Sequence, residues 1–270
     1  MNPGLRSAPG VASRTIFTLV ALAPVLVVES LARGAVWTTG WLCALVVAMG
    51  LAGLAKRMRG ENRAPYTADL ALAVAALLIA LLLPADTGWA LTFLAVALAV
   101  LVGWQAFGGP GQAVFNPAMV GLALVGFFLA RPGEAAVWSA WATPALWLGG
   151  FLLLLGRVLA WRTVLAFFAG AASAAAWLPP TGLSSSLAAF AALSHPAWLL
   201  CAFFIAADSS TGCLHARARL AFGLGCGLLV VAFEAGQPLL GLPMALLLMN
   251  AAAPWLDQML ARPRQKVPAP

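Results

Sequence analysis

The chain carries 15 basic and 8 acidic residues among its 270, and 63% of it is hydrophobic, with a mean hydropathy of +0.97. Ordinary soluble domains are about 25% charged; at 9% charged this chain would expose too much apolar surface to stay dispersed in water, which excludes a soluble fold. The net charge of +7 lies in short clusters beside apolar runs, a pattern that orients helices in a bilayer and argues against a nucleic-acid-binding protein.

Apolar runs bounded by glycine, proline and charge predict an all-α integral membrane protein with about ten transmembrane helices. The first five predicted spans are Thr15–Leu31, Val36–Leu54, Leu70–Leu83, Trp89–Phe107 and Val114–Ala130. The next five are Pro144–Leu155, Val164–Leu178, Leu187–Ala207, Leu220–Phe233 and Leu239–Trp255. Leu70–Leu83 is shorter than the roughly 20 residues that cross a bilayer, which predicts tilt, extension into its flanks, or a broken half-helix. With the N-terminus in the cytoplasm, thirteen of the fifteen basic residues fall inside and only Arg33 and Arg131 outside. This alternation requires an even number of crossings with both termini cytoplasmic. Residues 1–270 then form one transmembrane domain, with 1–14 and 259–270 as cytoplasmic tails. The run Thr15–Val28, preceded by basic residues and followed by Ser30, Leu31 and Ala32, also fits a cleavable signal peptide, against which Glu29 counts. Cys43, Cys201, Cys213 and Cys226 form no CxxC pair and lie mostly in apolar runs, so they read as small buried hydrophobes, with no metal site or disulfide framework.

The segment between the fourth and fifth spans departs from this generic pattern. It reads Gly108, Gly109, Pro110, Gly111, Gln112, Ala113, Val114, Phe115, Asn116, Pro117, Ala118, Met119, Val120, Gly121. Glycine and proline at this density predict a broken helix or tight loop, stable in a membrane only where protein or a cavity covers the freed backbone groups. An Asn cap followed by Pro at the first helical position accounts for Asn116 and Pro117 alone, though not for the whole string.

This string resembles the GGxGxxxFNPAMxG segment of the RnfD/NqrB family, the membrane subunits of the Rnf electron-transport complex and of the sodium-translocating NADH:quinone reductase. The likeness extends to Phe203 through Asp208 with Thr211, Arg217 and Arg219 to Gly223, and to Leu247 through Asn250, Pro254 and Asp257. Leu81-Leu82-Leu83-Pro84 also fits, and the D subunit is the nearest in pattern. The resemblance implies two five-helix halves of inverted topology with broken helices, holding flavin and passing electrons near the extracytoplasmic face of the bacterial inner membrane. It implies FMN, or riboflavin, as cofactor, and further membrane, flavin and iron–sulfur subunits as partners. Gly109, Gly111, Phe115, Asn116, Pro117, Asp208 and Asn250 become the candidate cofactor-binding residues. Relatives attach FMN to a Thr in a Dxx[ST]xATPL motif; here Thr143, in Trp141-Ala142-Thr143-Pro144-Ala145-Leu146, occupies that place and is the candidate for covalent attachment. Val137, Ala140 and Trp141 depart from the motif. Thr143 as an N-cap with Pro144 at the first helical position accounts for the Thr-Pro pair without flavin.

His195 replaces part of a small-residue turn in the eighth span, where an ionisable side chain invites a functional reading; a hydrogen bond to a carbonyl freed by Pro196 is the plain one. Asp69, Asp208 and Asp257 fall near cytoplasmic ends, with Arg217 and Arg219 as expected partners of Asp208 and a solvated role for His215. No nucleotide loop, cysteine cluster or catalytic triad is present, so redox chemistry must be a cofactor's. An electron-conducting subunit coupled to sodium or proton movement is the leading functional reading. A solute channel or transporter on the same broken-helix architecture, and a membrane anchor for an extracytoplasmic flavoprotein, are its rivals.

Overall fold

The computed structural model describes residues 11–60, 69–109, 112–129, 136–178, 194–208, 210–234 and 238–261. Among them every regular element is helical. The helices are α1 (Val11–Met58), α2 (Leu70–Leu82), α3 (Trp89–Phe107), α4 (Pro117–Leu129), α5 (Ala142–Leu155), α6 (Trp161–Trp177), α7 (Pro196–Ala206), α8 (Ala216–Glu234) and α9 (Pro238–Leu260). Four are long and apolar enough to cross a bilayer by length and composition: α1, α3, α8 and α9. The chain is therefore an all-α membrane protein.

The first two predicted spans both lie within α1, whose 48 residues are two helical arms that meet at a kink. At 1.5 Å per residue a straight helix of that length would reach about 70 Å, more than twice the roughly 30 Å of bilayer hydrocarbon. Gly34 resolves this with φ 83° and ψ −177°, a conformation that glycine adopts without a Cβ clash. The fold-back is visible in one hydrogen bond: Trp41 Nε1 donates to Ser30 Oγ at 3.2 Å. Eleven residues along a straight helix are about 16 Å apart, so the two arms of α1 turn back on each other at Gly34.

Helix α2 has only 13 residues, but Leu72 to Leu81 are almost all buried. It is covered by protein, packing against α1, α3 and α4, and so escapes the length that lipid exposure demands. Two helices change pitch. α3 widens to a π-helix over Ala99–Trp104 before a short 3-10 turn, and α7 does so over Cys201–Ala206. π-helical segments recur at functional positions because they rotate side chains out of α register. Among the described residues one continuous apolar core draws on all nine of these helices.

The closest helix pair is α6 with α8. A Cβ built on Gly223 would lie 2.3 Å from the Thr163 carbonyl oxygen, and one on Gly170 2.3 Å from that of Leu224. Glycine at these crossings lets backbone meet backbone, the usual basis of association where lipid removes any hydrophobic drive between helices.

Candidate functional site

Three distant stretches of sequence meet at one point inside the fold. Asn116 immediately precedes α4, Thr211 follows α7, and Asn250 lies within α9; all three are buried. The Asn250 amide oxygen accepts from the Asn116 backbone N–H at 3.1 Å, and its nitrogen donates to the Thr211 carbonyl at 3.2 Å. Asn116 Oδ1 in turn accepts from the Ala118 N–H at 3.0 Å. Asn116 thus caps α4, with Pro117 at the first helical position where a missing N–H costs nothing. The cap and the interhelical bridge coexist, so Asn116 both starts α4 and joins it to α9.

A cleft of about 90 Å³ adjoins this bridge. Asn116, Pro117, Trp104 and the two phenylalanines Phe203 and Phe204 line it, with Arg14, Asp208 and Ser210 among its polar residues. Both π-helical segments face it, one through Trp104 and the other through Phe203 and Phe204. Trp104 is 7% exposed and its indole Nε1 has no hydrogen-bond partner. A buried donor left unpaired costs about 1–3 kcal/mol, and this one belongs to a residue that lines the cleft. Sequence reading missed Trp104, since an aromatic residue in an apolar helix carries no signal of its own.

The other candidates separate. Asp208 accepts from Ser210 N–H at 3.0 Å and Ser210 Oγ–H at 2.7 Å, so a turn of its own chain holds it at the cleft edge. The Arg219 expected beside it instead donates through Nε to the Cys213 carbonyl at 3.0 Å. Gly109 is buried with φ 88° beside the Arg59 guanidinium, and Phe115 stacks edge-on against Phe107 at 5.7 Å. Gly111 and the start of the eighth predicted span lie outside the described residues.

Thr143 is remote from this cluster in sequence and is not among the cleft's lining residues. It is not the N-cap of α5: the helix begins at Ala142, capped at Trp141, so Thr143 sits inside the first turn and Pro144 at the third helical position, two later than expected. Its hydroxyl donates to the Ser194 carbonyl at 2.8 Å, tying α5 to the segment before α7. The reason is tertiary: a carbonyl ahead of Pro196 reaches the hydroxyl before any local N–H does. His195 caps α7, exposed, with its ring 4.7 Å from that of Trp198. The Trp198 indole donates to Glu234, which lines a smaller cavity together with His195 and Trp138.

Two ionic arrangements were not legible in the sequence pattern. Lys56 and Asp69, both buried, form an ion pair between α1 and the residue that precedes α2. At the Gly34 turn, Glu29 is fully buried; it pairs with Arg33 and accepts from Ser139 N–H at 3.0 Å and Ser139 Oγ–H at 2.6 Å. Arg33 also donates to the Val137 carbonyl at 2.8 Å and lies over the Trp37 and Trp138 rings at 4.9 and 5.4 Å. The i, i+4 spacing of Glu29 and Arg33 in an apolar run was the available signal.

Asp257 shows why His215 is not simply solvated. Its carboxylate accepts from the N–H groups of Leu214 and His215 at 2.8 Å each and lies 3.0 Å from His215 Nδ1. An anion thereby meets the N–H groups just ahead of α8, where the helix dipole favours it. Burial pushes the Cys213 thiol in the same turn up to about 12, the nearby Asp257 carboxylate adding to the rise and Arg219 opposing it. Since the thiolate is the nucleophile, Cys213 is expected to stay unlabelled by maleimide at pH 7 in the folded protein and to react once denatured, as read by peptide mass mapping. Labelling of Cys213 in the folded state at that pH would show that the turn opens.

Comparison with known proteins identifies the family. The model of the NQR2, RnfD, RnfE family matches residues 1–141 and 127–266. A protein of Pseudomonas aeruginosa (strain LESB58), named as the D subunit of an ion-translocating oxidoreductase complex, is 31% identical over 293 aligned positions, covering 86% of this chain and 84% of its own length. Proteins with the same name from Alcanivorax borkumensis and Marinobacter nauticus are 29% and 26% identical. They cover 82% and 95% of this chain, and 84% and 91% of their own lengths.

Proposed function

Because this chain belongs to the NQR2, RnfD, RnfE family, we propose that it is the D-type membrane subunit of an ion-translocating oxidoreductase complex, and that it holds flavin for electron transfer. It is a multi-pass bacterial membrane protein. The finer architecture in this reading is ten crossings in two inverted five-helix halves with both termini cytoplasmic. The fold-back at Gly34 and the alternation of basic loops support it. Its partners are further membrane subunits and the flavin- and iron–sulfur-bearing subunits that supply and take up electrons.

The observation that carries the flavin reading is the orphaned Trp104 N–H in a cleft bordered by Asn116, Arg14 and Asp208. Trp104 and Arg14 supply donors suited to ring carbonyl and nitrogen acceptors, and the Asp208 carboxylate supplies an acceptor for a ring N–H. At about 90 Å³ the cleft admits a few waters and would have to enlarge to take a tricyclic ring system. A flavin, when bound, supplies the electron chemistry that the chain's side chains lack. Trp104 would donate to it, Phe203 and Phe204 would exclude water, and the Asn116–Asn250 bridge would hold the cleft walls in register. At Thr143 the hydroxyl already serves as donor to Ser194. Esterification removes that proton, so covalent attachment there requires the Thr143–Ser194 bond to be given up.

The test compares purified wild type with Trp104→Phe and Thr143→Ala. Flavin is read both in the soluble fraction after denaturation and by in-gel fluorescence of the protein band. Trp104→Phe keeps the ring and removes one donor, so it is expected to lower non-covalent flavin occupancy roughly tenfold, the worth of about 1.4 kcal/mol of hydrogen bonding. Any fluorescent band is expected to vanish in Thr143→Ala and to persist in Trp104→Phe. Wild-type protein with flavin in neither fraction overturns the reading.

A further inference from the structure

A second recess lies on the outside of the helix bundle, between α5 and α6. It has a volume of about 390 Å³ and is lined by Trp147, Phe151, Leu154, Leu165, Phe168 and Phe203, among others, all apolar. Its rims face outward: Phe151 is 56% and Leu165 60% exposed. Its floor is protein, since Gly150 has no room for a Cβ against the Phe203 ring, and Trp147, Phe168 and Phe203 pack as an aromatic cluster with centroids 5.2–5.8 Å apart. From Trp147 to Leu154 the recess follows α5 for about 10 Å, which is within one leaflet's share of the roughly 30 Å hydrocarbon layer.

At one end the recess meets one cation, and a second stands in the adjoining connection between α5 and α6. Trp161 forms part of its lining, and the Arg162 guanidinium lies over that indole at 4.9 Å. Arg157 stands in the same connection between α5 and α6, exposed, at φ 54°. Its N–H bonds to the Leu154 carbonyl and that of Val158 to Leu153, so Arg157 occupies the left-handed position that closes a helix. Glycine or asparagine fills that position at lower cost. An arginine there, against the backbone's preference, points to a use for its charge. Tryptophan marks the headgroup level and arginine the phosphates.

We propose that this recess binds an anionic phospholipid, its headgroup phosphate held by Arg157 and Arg162 and one acyl chain laid along the Trp147–Phe168–Phe203 floor. Charge complementarity selects the headgroup, and shape selects the chain. A transmembrane helix, about 10–12 Å across with its side chains, covers such a recess without entering it, whereas a single hydrocarbon chain enters it. The proposal requires only that the chain is membrane-embedded and is independent of flavin.

The test uses the full-length protein, delipidated in detergent, with phosphatidylglycerol or phosphatidylcholine added back. Bound lipid is counted by native mass spectrometry and thermal stability is followed in parallel. Wild type is expected to retain phosphatidylglycerol roughly 25-fold better than phosphatidylcholine, with each arginine contributing roughly fivefold. Arg157→Gly is expected to reduce that preference while leaving the lipid-free protein at least as stable as wild type, a pair of opposite signs that a merely structural arginine would not give. Leu165→Trp, at an exposed rim position, is expected to lower retention of both lipids by filling the recess. Equal retention of the two lipids by wild type, or full preference kept in Arg157→Gly with Arg162→Gln, overturns the proposal. So does a Leu165→Trp protein that keeps its lipid but loses its partner subunits, which would assign the recess to a protein helix.

Discussion

Gly227→Ala is expected to cost about 3 kcal/mol or more and to leave little folded protein after detergent extraction. A methyl group at Gly227 would stand 2.0 Å from the Phe167 carbonyl oxygen and 2.7 Å from the Ala171 nitrogen. Both are backbone atoms of α6, so no rotamer change relieves the clash and the helices must separate. Separation undoes the tightest pairing in the fold, including the approaches at Gly170 and Gly223, and overpacking of well-packed sites costs about 1–3 kcal/mol even where side chains can yield. Gly53→Ala in α1 is the control, because nothing lies within 4 Å of its would-be Cβ. Alanine is the better helix former by about 1 kcal/mol, so this variant is expected to match or slightly exceed wild type. Thermal unfolding by size exclusion separates the two outcomes, and a Gly227→Ala protein as stable as Gly53→Ala would show that α6 and α8 do not touch as described.

Glu29→Ala carries the second large effect, expected at about 3–5 kcal/mol. Glu29 is fully buried and the Arg33 side chain is 7% exposed, so removing the carboxylate strands a guanidinium out of water and leaves the Ser139 N–H and hydroxyl without their acceptor. Replacing both partners by leucine removes the stranded charge together with its counter-ion and is expected to restore most of the stability. The double variant still loses the hold on Val137 and Ser139, and with it the stretch leading into α5 and Thr143. Limited proteolysis after residue 136 is therefore expected to accelerate in the double variant although its unfolding midpoint recovers. A single Glu29→Ala variant with a wild-type midpoint would contradict the burial of this pair.

The arrangement at Gly34 joins these effects to function. Because the two arms of α1 fold back there, Glu29 and Arg33 come to the same edge as residues 137–139, while Arg14, Thr15 and Thr18 at the other end of the first arm line the Asn116 cleft. One helix thus touches the segment ahead of Thr143 and the cleft, so changes at its bend are expected to be felt at both.

Much of this was legible before any coordinates. Composition established the membrane, because the transfer cost of apolar surface depends on residue content and not on arrangement. Runs of apolar residues between glycine, proline and charge located the helices to within a few residues in α2, α3 and α8. The resemblance of the chain's motifs to the family's singled out Asn116, Asp208 and Asn250 as candidates. What periodicity and spacing could not convey was pairing. That Asn250 bridges Asn116 and Thr211, that Lys56 meets Asp69, that Glu29 holds Ser139 over a hundred residues away, and that the Thr143 hydroxyl turns to Ser194 all depend on which helix ends come together in space. The orphaned Trp104 donor depends on the same packing. Local sequence sets a helix through contacts three or four residues apart, whereas hydrogen bonds between helices are chosen by backbone approach, and that approach rests on glycines such as Gly223 and Gly227 whose role is invisible until the facing backbone is in place.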